Sequence, residues 1–269
     1  MAEPASFDVR EFARTAQGSL RDDVDLAAFA AAPLVPDVVR VLTSLAALEG
    51  ATMAHLRNVL VTPTHKDARV TAFLVSWAFE KFWIADALHA IVDANGGAAA
   101  QGVAAAGARG SSASVGRGPV RRALAGFVQG WPVVGAHMTV GLADDWMLHA
   151  AYDRVVEASR SRALADAVTR VLVVKERHTH FFEEEVRRRL TASPKAVRLA
   201  RRELRRTAWP LGSAVLDPEE RDAFTCFVFG GSEGGALAAA IERHIDAVPG
   251  MDPRTGAIVR EKLAGRRHA

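Results

Sequence analysis

A chain of 269 residues is long enough to bury one sizeable core without a disulfide or metal staple. Hydrophobic residues make up 49% and charged residues 24%, ordinary proportions for a globular protein, and a single cysteine excludes both an internal disulfide and a zinc site of several thiolates. The formal net charge is only +3, so the sequence pI of about 9.4 reflects local basic runs.

The chain opens MAEPASFDVREFA, with no basic region leading into an apolar one, and no later stretch reaches the roughly 18 uncharged apolar residues that a spanning helix needs. A soluble, cytoplasmic protein with no membrane partner is expected. Residues 1–35 hold two short helical candidates, REFARTA and VDLAAFAAA, read as a helical lead-in. Pro36 suits a first helical position, and apolar residues then recur every three or four positions up to the break at Thr62 to Thr64, which predicts a first long helix. The pattern resumes at His65 and runs to Asn95-Gly96-Gly97, predicting a second. A helix of about 30 residues spans roughly 45 Å, a length normal for a bundle.

Residues 96–118 are biased to Gly, Ala and Ser and read as a flexible crossover. PVRRALAGFVQGW then leads to Pro132 and a third long helix; after a break near Ser159 to Ser161 a fourth runs from Ala163 to Pro194. Strand alternation is absent throughout, so the fold class is all-α: a four-helix bundle over 36–193, with a helical extension over 194–269 packed on it. Two helical hairpins joined by one long crossover is the connection of ferritin-like bundles. A homodimer through an apolar helix face is expected.

The basic runs fall at Arg187 to Arg189 and from Arg198 to Trp209. Phosphate binding is one reading of them. The other is an amphipathic helix with Val197, Leu204 and Ala208 inward and the arginines solvated, and it is favoured because no recognition motif accompanies the charge; nucleic acid is not an expected partner. Cys226, within AFTCFVF, is expected to be buried. FGGSEGG at 229–235 lacks the strand and lysine of a phosphate loop and reads as a turn between helices; no zincin motif or nucleophile elbow occurs.

Five stretches carry a resemblance: LEGATMAHLRNVLVT, FLVSWAFEKFWIADAL, ADDWMLHAAYDRVV, VVKERHTHFF with RRRL, and FVFGG with IERHIDAVPG. In order and spacing, over residues 36 to 251, the chain resembles actinobacterial ferritin-like proteins. Such proteins place a lone Glu on one helix of each pair and Glu-x-x-His on its neighbour, so that four carboxylates and two imidazoles hold two metal ions. Residues three apart share a helix face, which lets both reach one ion.

The resemblance places Glu49 at the lone Glu of the first helix and Asp145, seven residues before Tyr152, at that of the third. The first Glu-x-x-His falls on Lys81 and Ile84, the second on Lys175 and His178, so three of six ligands are replaced. The register is similar in both halves: Lys81 lies 32 positions after Glu49, and Lys175 lies 30 after Asp145. Two lysines in equivalent places suggest that ammonium groups stand in for metal charge, since a buried carboxylate without a counter-charge is costly. Glu49, Lys81, Asp145, Lys175 and His178 are therefore the candidate site, with no cofactor favoured.

A second register offers Glu49, Glu80, Asp145, Glu176 and His180 as ligands for two Fe or Mn ions, with Asp86 and His89 three apart nearby. That alternative implies an oxidase or oxygenase; the first implies a ligand-binding or biosynthetic protein with a degenerate centre. Phe79, Phe82, Trp83, Trp146, Phe181 and Phe182 flank the centre and are read mainly as core, or else as the wall of a pocket for a small apolar ligand.

Overall fold

The computed structural model describes residues 6–96 and 130–265, which form eleven α-helices and three short 3-10 turns, with no strand among the described residues. Short helices α1 (Val9–Arg14) and α2 (Leu26–Ala31) precede α3 (Pro36–Gly50), α4 (Thr52–Leu60) and α5 (Ala68–Ala94). Then come α6 (Pro132–Ser159), α7 (Arg162–Ala192), α8 (Pro194–Arg206), α9 (Pro218–Phe229), α10 (Gly231–Ala247) and α11 (Pro253–Leu263). The crossover predicted over 96–118, save its first residue, and the residues that follow it up to 129 lie outside the described residues.

The helix ends follow local chemistry. Asp67 accepts from the Val70 amide at the start of α5, and Ser161 does the same for Leu164 at the start of α7. Proline occupies the first turn of α3, α6, α8, α9 and α11, where its missing N–H costs nothing. The first long helix is not continuous: α3 stops at Gly50 and α4 starts at Thr52. Opposite that break sits Gly212 in a left-handed conformation (φ 79°), so close that a Cβ there would lie 2.8 Å from the Ala51 methyl.

The main packing pairs are α3 with α5 and α6 with α7, and the two pairs meet through α3 against α6 and α5 against α7. Gly141 of α6 lets α7 approach closely: a Cβ there would come within 2.7 Å of the Phe182 ring. α1 and α2 rest on α5, α8 lies along α6, and α9 packs on α3, α6 and α10. α9 and α10 meet at an angle of 88° at Gly230, and no single helix among the described residues is long and apolar enough to cross a membrane.

The apolar interior has two parts. One is built around Phe73, Trp77, Leu142, Phe181 and Phe182, with Phe73 stacked on Phe181 at 3.7 Å; the other around Leu45, Leu88, Met147, Tyr152 and Val168. Along α5, α6 and α7 the change from one to the other falls where Lys81, Asp145 and Lys175 sit. A charged layer thus divides the core.

Three expectations are corrected. Cys226 is exposed, because Phe224, Val228 and Phe229 take the inward face of α9. Phe79 and Phe82 are also exposed, on the outer side of α5. In α8 the inward positions are Ala196, Leu199, Ala200 and Leu204, while Val197 is half-buried and Ala208 lies exposed past the helix end. Its arginines are not all solvated: Arg205 binds Asp252 at 2.7 Å, and Arg201 reaches Asp252 at 3.2 Å, fixing the loop before α11.

Candidate functional site

Four helices each deliver one charged side chain to the same buried place: Glu49 from α3, Lys81 from α5, Asp145 from α6 and Lys175 from α7. Lys81 Nζ lies 2.8 Å from Glu49 Oε2, and Lys175 Nζ lies 3.4 Å from Glu49 Oε1 and 2.7 Å from Asp145 Oδ1. None of the four is more than 3% exposed. Tyr152 donates its hydroxyl to Glu49 Oε1 at 3.0 Å, Thr179 donates to Asp145, and the Trp77 ring lies 5.0 Å from Lys81 Nζ.

Two carboxylates and two ammonium groups balance one another, which is what allows ions to stay in so dry a place. Burial alone pushes the Glu49 carboxyl up, but Lys175 and Lys81 overcome it and hold it at about 2. Asp145 is likewise raised by burial and then brought well below its ordinary value by Lys175. For Lys175, burial favours the neutral amine, yet Asp145 and Glu49 hold it above its ordinary value. It is an ammonium ion rather than a nucleophilic amine.

Asp144, next in sequence to Asp145, is buried on a different side of α6. It accepts from the Leu211 amide at 2.7 Å, and burial raises it to about 6 against the pull of Lys81. Lys81, Asp144, His55, Thr52 and Gly212 line a narrow cleft with room for about one water molecule. His55 is held neutral, at about 4, first by desolvation and then by the neighbouring His137 imidazole and Lys81 ammonium.

His178 does not join the lysines directly. Its Nε2 lies 2.6 Å from Glu80 Oε2, and Glu80 also binds Arg177 and accepts from the Gln17 amide at 2.7 Å. Burial pushes the His178 imidazole down, against the upward pull of Glu80, and its Nδ1 is buried with no hydrogen-bond partner. His149 Nε2 is 3.6 Å from Asp145 Oδ2.

The second ligand register is not assembled. Glu176 and His180 face outward and are exposed, Glu80 is occupied by His178 and Arg177, Asp86 pairs with Arg21 at 3.9 Å, and His89 is exposed. With Lys175 turned inward, helical geometry carries Glu176 about 100° away from the centre. Among the described residues, no three His, Cys, Asp or Glu side chains gather as metal ligands. A dimetal cluster does not fit the donor set of the first register either, because two of its positions carry ammonium groups, which only donate.

Of the flanking aromatics, Phe181 and Phe182 are buried, Trp83 and Trp146 are half-buried, and Trp146 stacks on His244 at 5.0 Å. Sequence alone does not single out Asp144, Thr179 or Arg177. The doubled acid Asp144-Asp145 is the visible signal, since two adjacent acids in an apolar helix cannot both face the same way. Compared with known protein families, curated proteins and solved structures, the chain matches none.

Proposed function

We propose that this chain is a diverged ferritin-like bundle protein in which an ion-pair network replaces the dimetal centre, and that it works without metal as a binder of a small ligand. The resemblance supplies the register. The observation that carries the reading is the placement of two ammonium groups, from α5 and α7, between the acids of α3 and α6. Each lysine stands at a position where the resemblance expects a ligand carboxylate, and together they neutralise two acids that would otherwise be buried and unpaired.

The ligand reaches the centre through the cleft over Lys81. Trp77 and Leu48 give that cleft an apolar wall, and Lys81, Asp144 and His55 give it polar groups. Its volume, room for about one water molecule, admits only the slender end of a ligand.

Native mass spectrometry of the full chain as purified tests both halves of this reading. The expected result is one organic adduct and no metal. Two irons or manganese ions per chain would overturn the metal-free half, and a bare chain would overturn the ligand-binding half.

A further inference from the structure

α5 carries a second pattern, on the side that faces away from the bundle. Ala72, Val75, Phe79, Phe82, Asp86 and His89 follow one another at steps of three and four residues, and all but the half-buried Asp86 are exposed. Val75 is 53% exposed, Phe79 46% and Phe82 54%, so the middle of this line is an open apolar strip. Trp83 flanks it edge-on, with its ring 5.1 Å from that of Phe82 and 6.2 Å from that of Phe79. Alternating steps of three and four are the repeat by which one helix presents a continuous edge to another. Scattered apolar residues on a surface need no partner, but two phenylalanines and a valine in register on one helix edge do.

Charge selects the occupant. The strip is bounded by Lys66 just before α5, and by Asp86 and Asp93 in its second half. We infer that a second copy of this chain covers the strip, with its α5 running antiparallel and the two-fold axis passing near Phe79. That arrangement sets Asp93 of each copy beside Lys66 of the other, brings Phe82 onto Val75 and Ser76, and lays Asp86 against the small Ala72. Parallel pairing instead stacks Asp86 on Asp86 and His89 on His89. Antiparallel pairing also opposes the two helix dipoles. The interface is isologous and closes at two copies.

Sedimentation of the full chain, with disulfide trapping, tests this. The wild-type chain is expected to sediment as a dimer, and Phe79→Glu combined with Phe82→Glu as a monomer with unchanged helical circular dichroism. Both positions are exposed, so the change is not expected to disturb folding. In a Cys226→Ser background, Phe79→Cys is expected to cross-link to itself on oxidation. A mixture of Ala72→Cys and Asp86→Cys chains is expected to cross-link, while Asp86→Cys alone is not. A monomeric wild type, or a dimer that survives the two glutamates, overturns the interface. Self-cross-linking of Asp86→Cys overturns the antiparallel arrangement.

Discussion

Lys81 and Lys175 meet on one carboxylate, each holding a different oxygen of Glu49, at 2.8 Å and 3.4 Å. Lys175 also holds Asp145 at 2.7 Å, so the four charges form a chain in which Glu49 and Lys175 each have two partners and the outer members have one.

Removing an inner member is the harshest change. Glu49→Gln takes from the buried Lys81 ammonium its acid partner and from Lys175 one of two, and should cost about 3–5 kcal/mol of stability. Urea unfolding of the variant and wild type measures this. Removing an ionic pair together should be milder: Asp145→Leu with Lys175→Met is expected to cost less than either single change, because no buried charge is stranded. A strictly additive double variant would contradict the coupling seen in the geometry.

Replacing both cations with acids tests the charge-substitution reading. Lys81→Glu with Lys175→Glu puts four carboxylates in one dry site, and should lower the thermal midpoint sharply in chelator. Added Mn(II) should recover part of the loss in a concentration-dependent way, as any ligand of the folded state does. An unchanged midpoint in chelator would contradict the network's role.

Asp144 makes stability depend on pH in a direction opposite to most carboxylates. Burial raises it from 3.8 to about 6 in the folded protein, so between those values the folded state holds the proton more tightly than the unfolded chain does. Its contribution is therefore full below about pH 4 and is lost as pH rises through 6, a change of up to about 3 kcal/mol. The half-buried imidazoles of His55 and His137, each lowered to about 4, act in the reverse sense over nearly the same range, so a variant separates the two effects. Asp144→Asn keeps an acceptor for the Leu211 amide and removes the titration. The stability of Asp144→Asn relative to wild type should rise from pH 4 to pH 7; a flat difference refutes the assignment.

The contact between α6 and α7 depends on the absence of a side chain at Gly141. Gly141→Ala would place a methyl 2.7 Å from Phe182 Cε1 and 2.9 Å from Cζ, and Phe182 is itself packed against Trp77 and Phe73. The ring has little room to yield, so a loss of about 1–3 kcal/mol is expected in urea unfolding.

The long helices were legible because apolar residues at three- and four-residue spacing, with Pro36, Pro132 and Pro194 at or beyond their ends, leave few other readings. The break at Ala51 was not, since nothing in Gly50-Ala51-Thr52 forbids a helix; its neighbour is Gly212, remote in sequence. The candidate charges were legible only as a register borrowed from a resemblance and the near-equal spacing of the two halves. Asp144 stayed hidden because its burial depends on a backbone amide from the loop after α8. Phe79 and Phe82 misled because a composition that fits a core also fits a helix edge open to solvent.

Because every one of the four helices contributes a single charge to the central layer, sliding one of them along its axis by a turn, about 5.4 Å, would pull a cation off its anion inside a dry interior. Greasy surfaces tolerate such slips, but a buried ammonium does not. The layer therefore works like the pins of a tumbler lock, admitting one mutual alignment of the rods and rejecting neighbouring ones, whatever it adds to or subtracts from net stability.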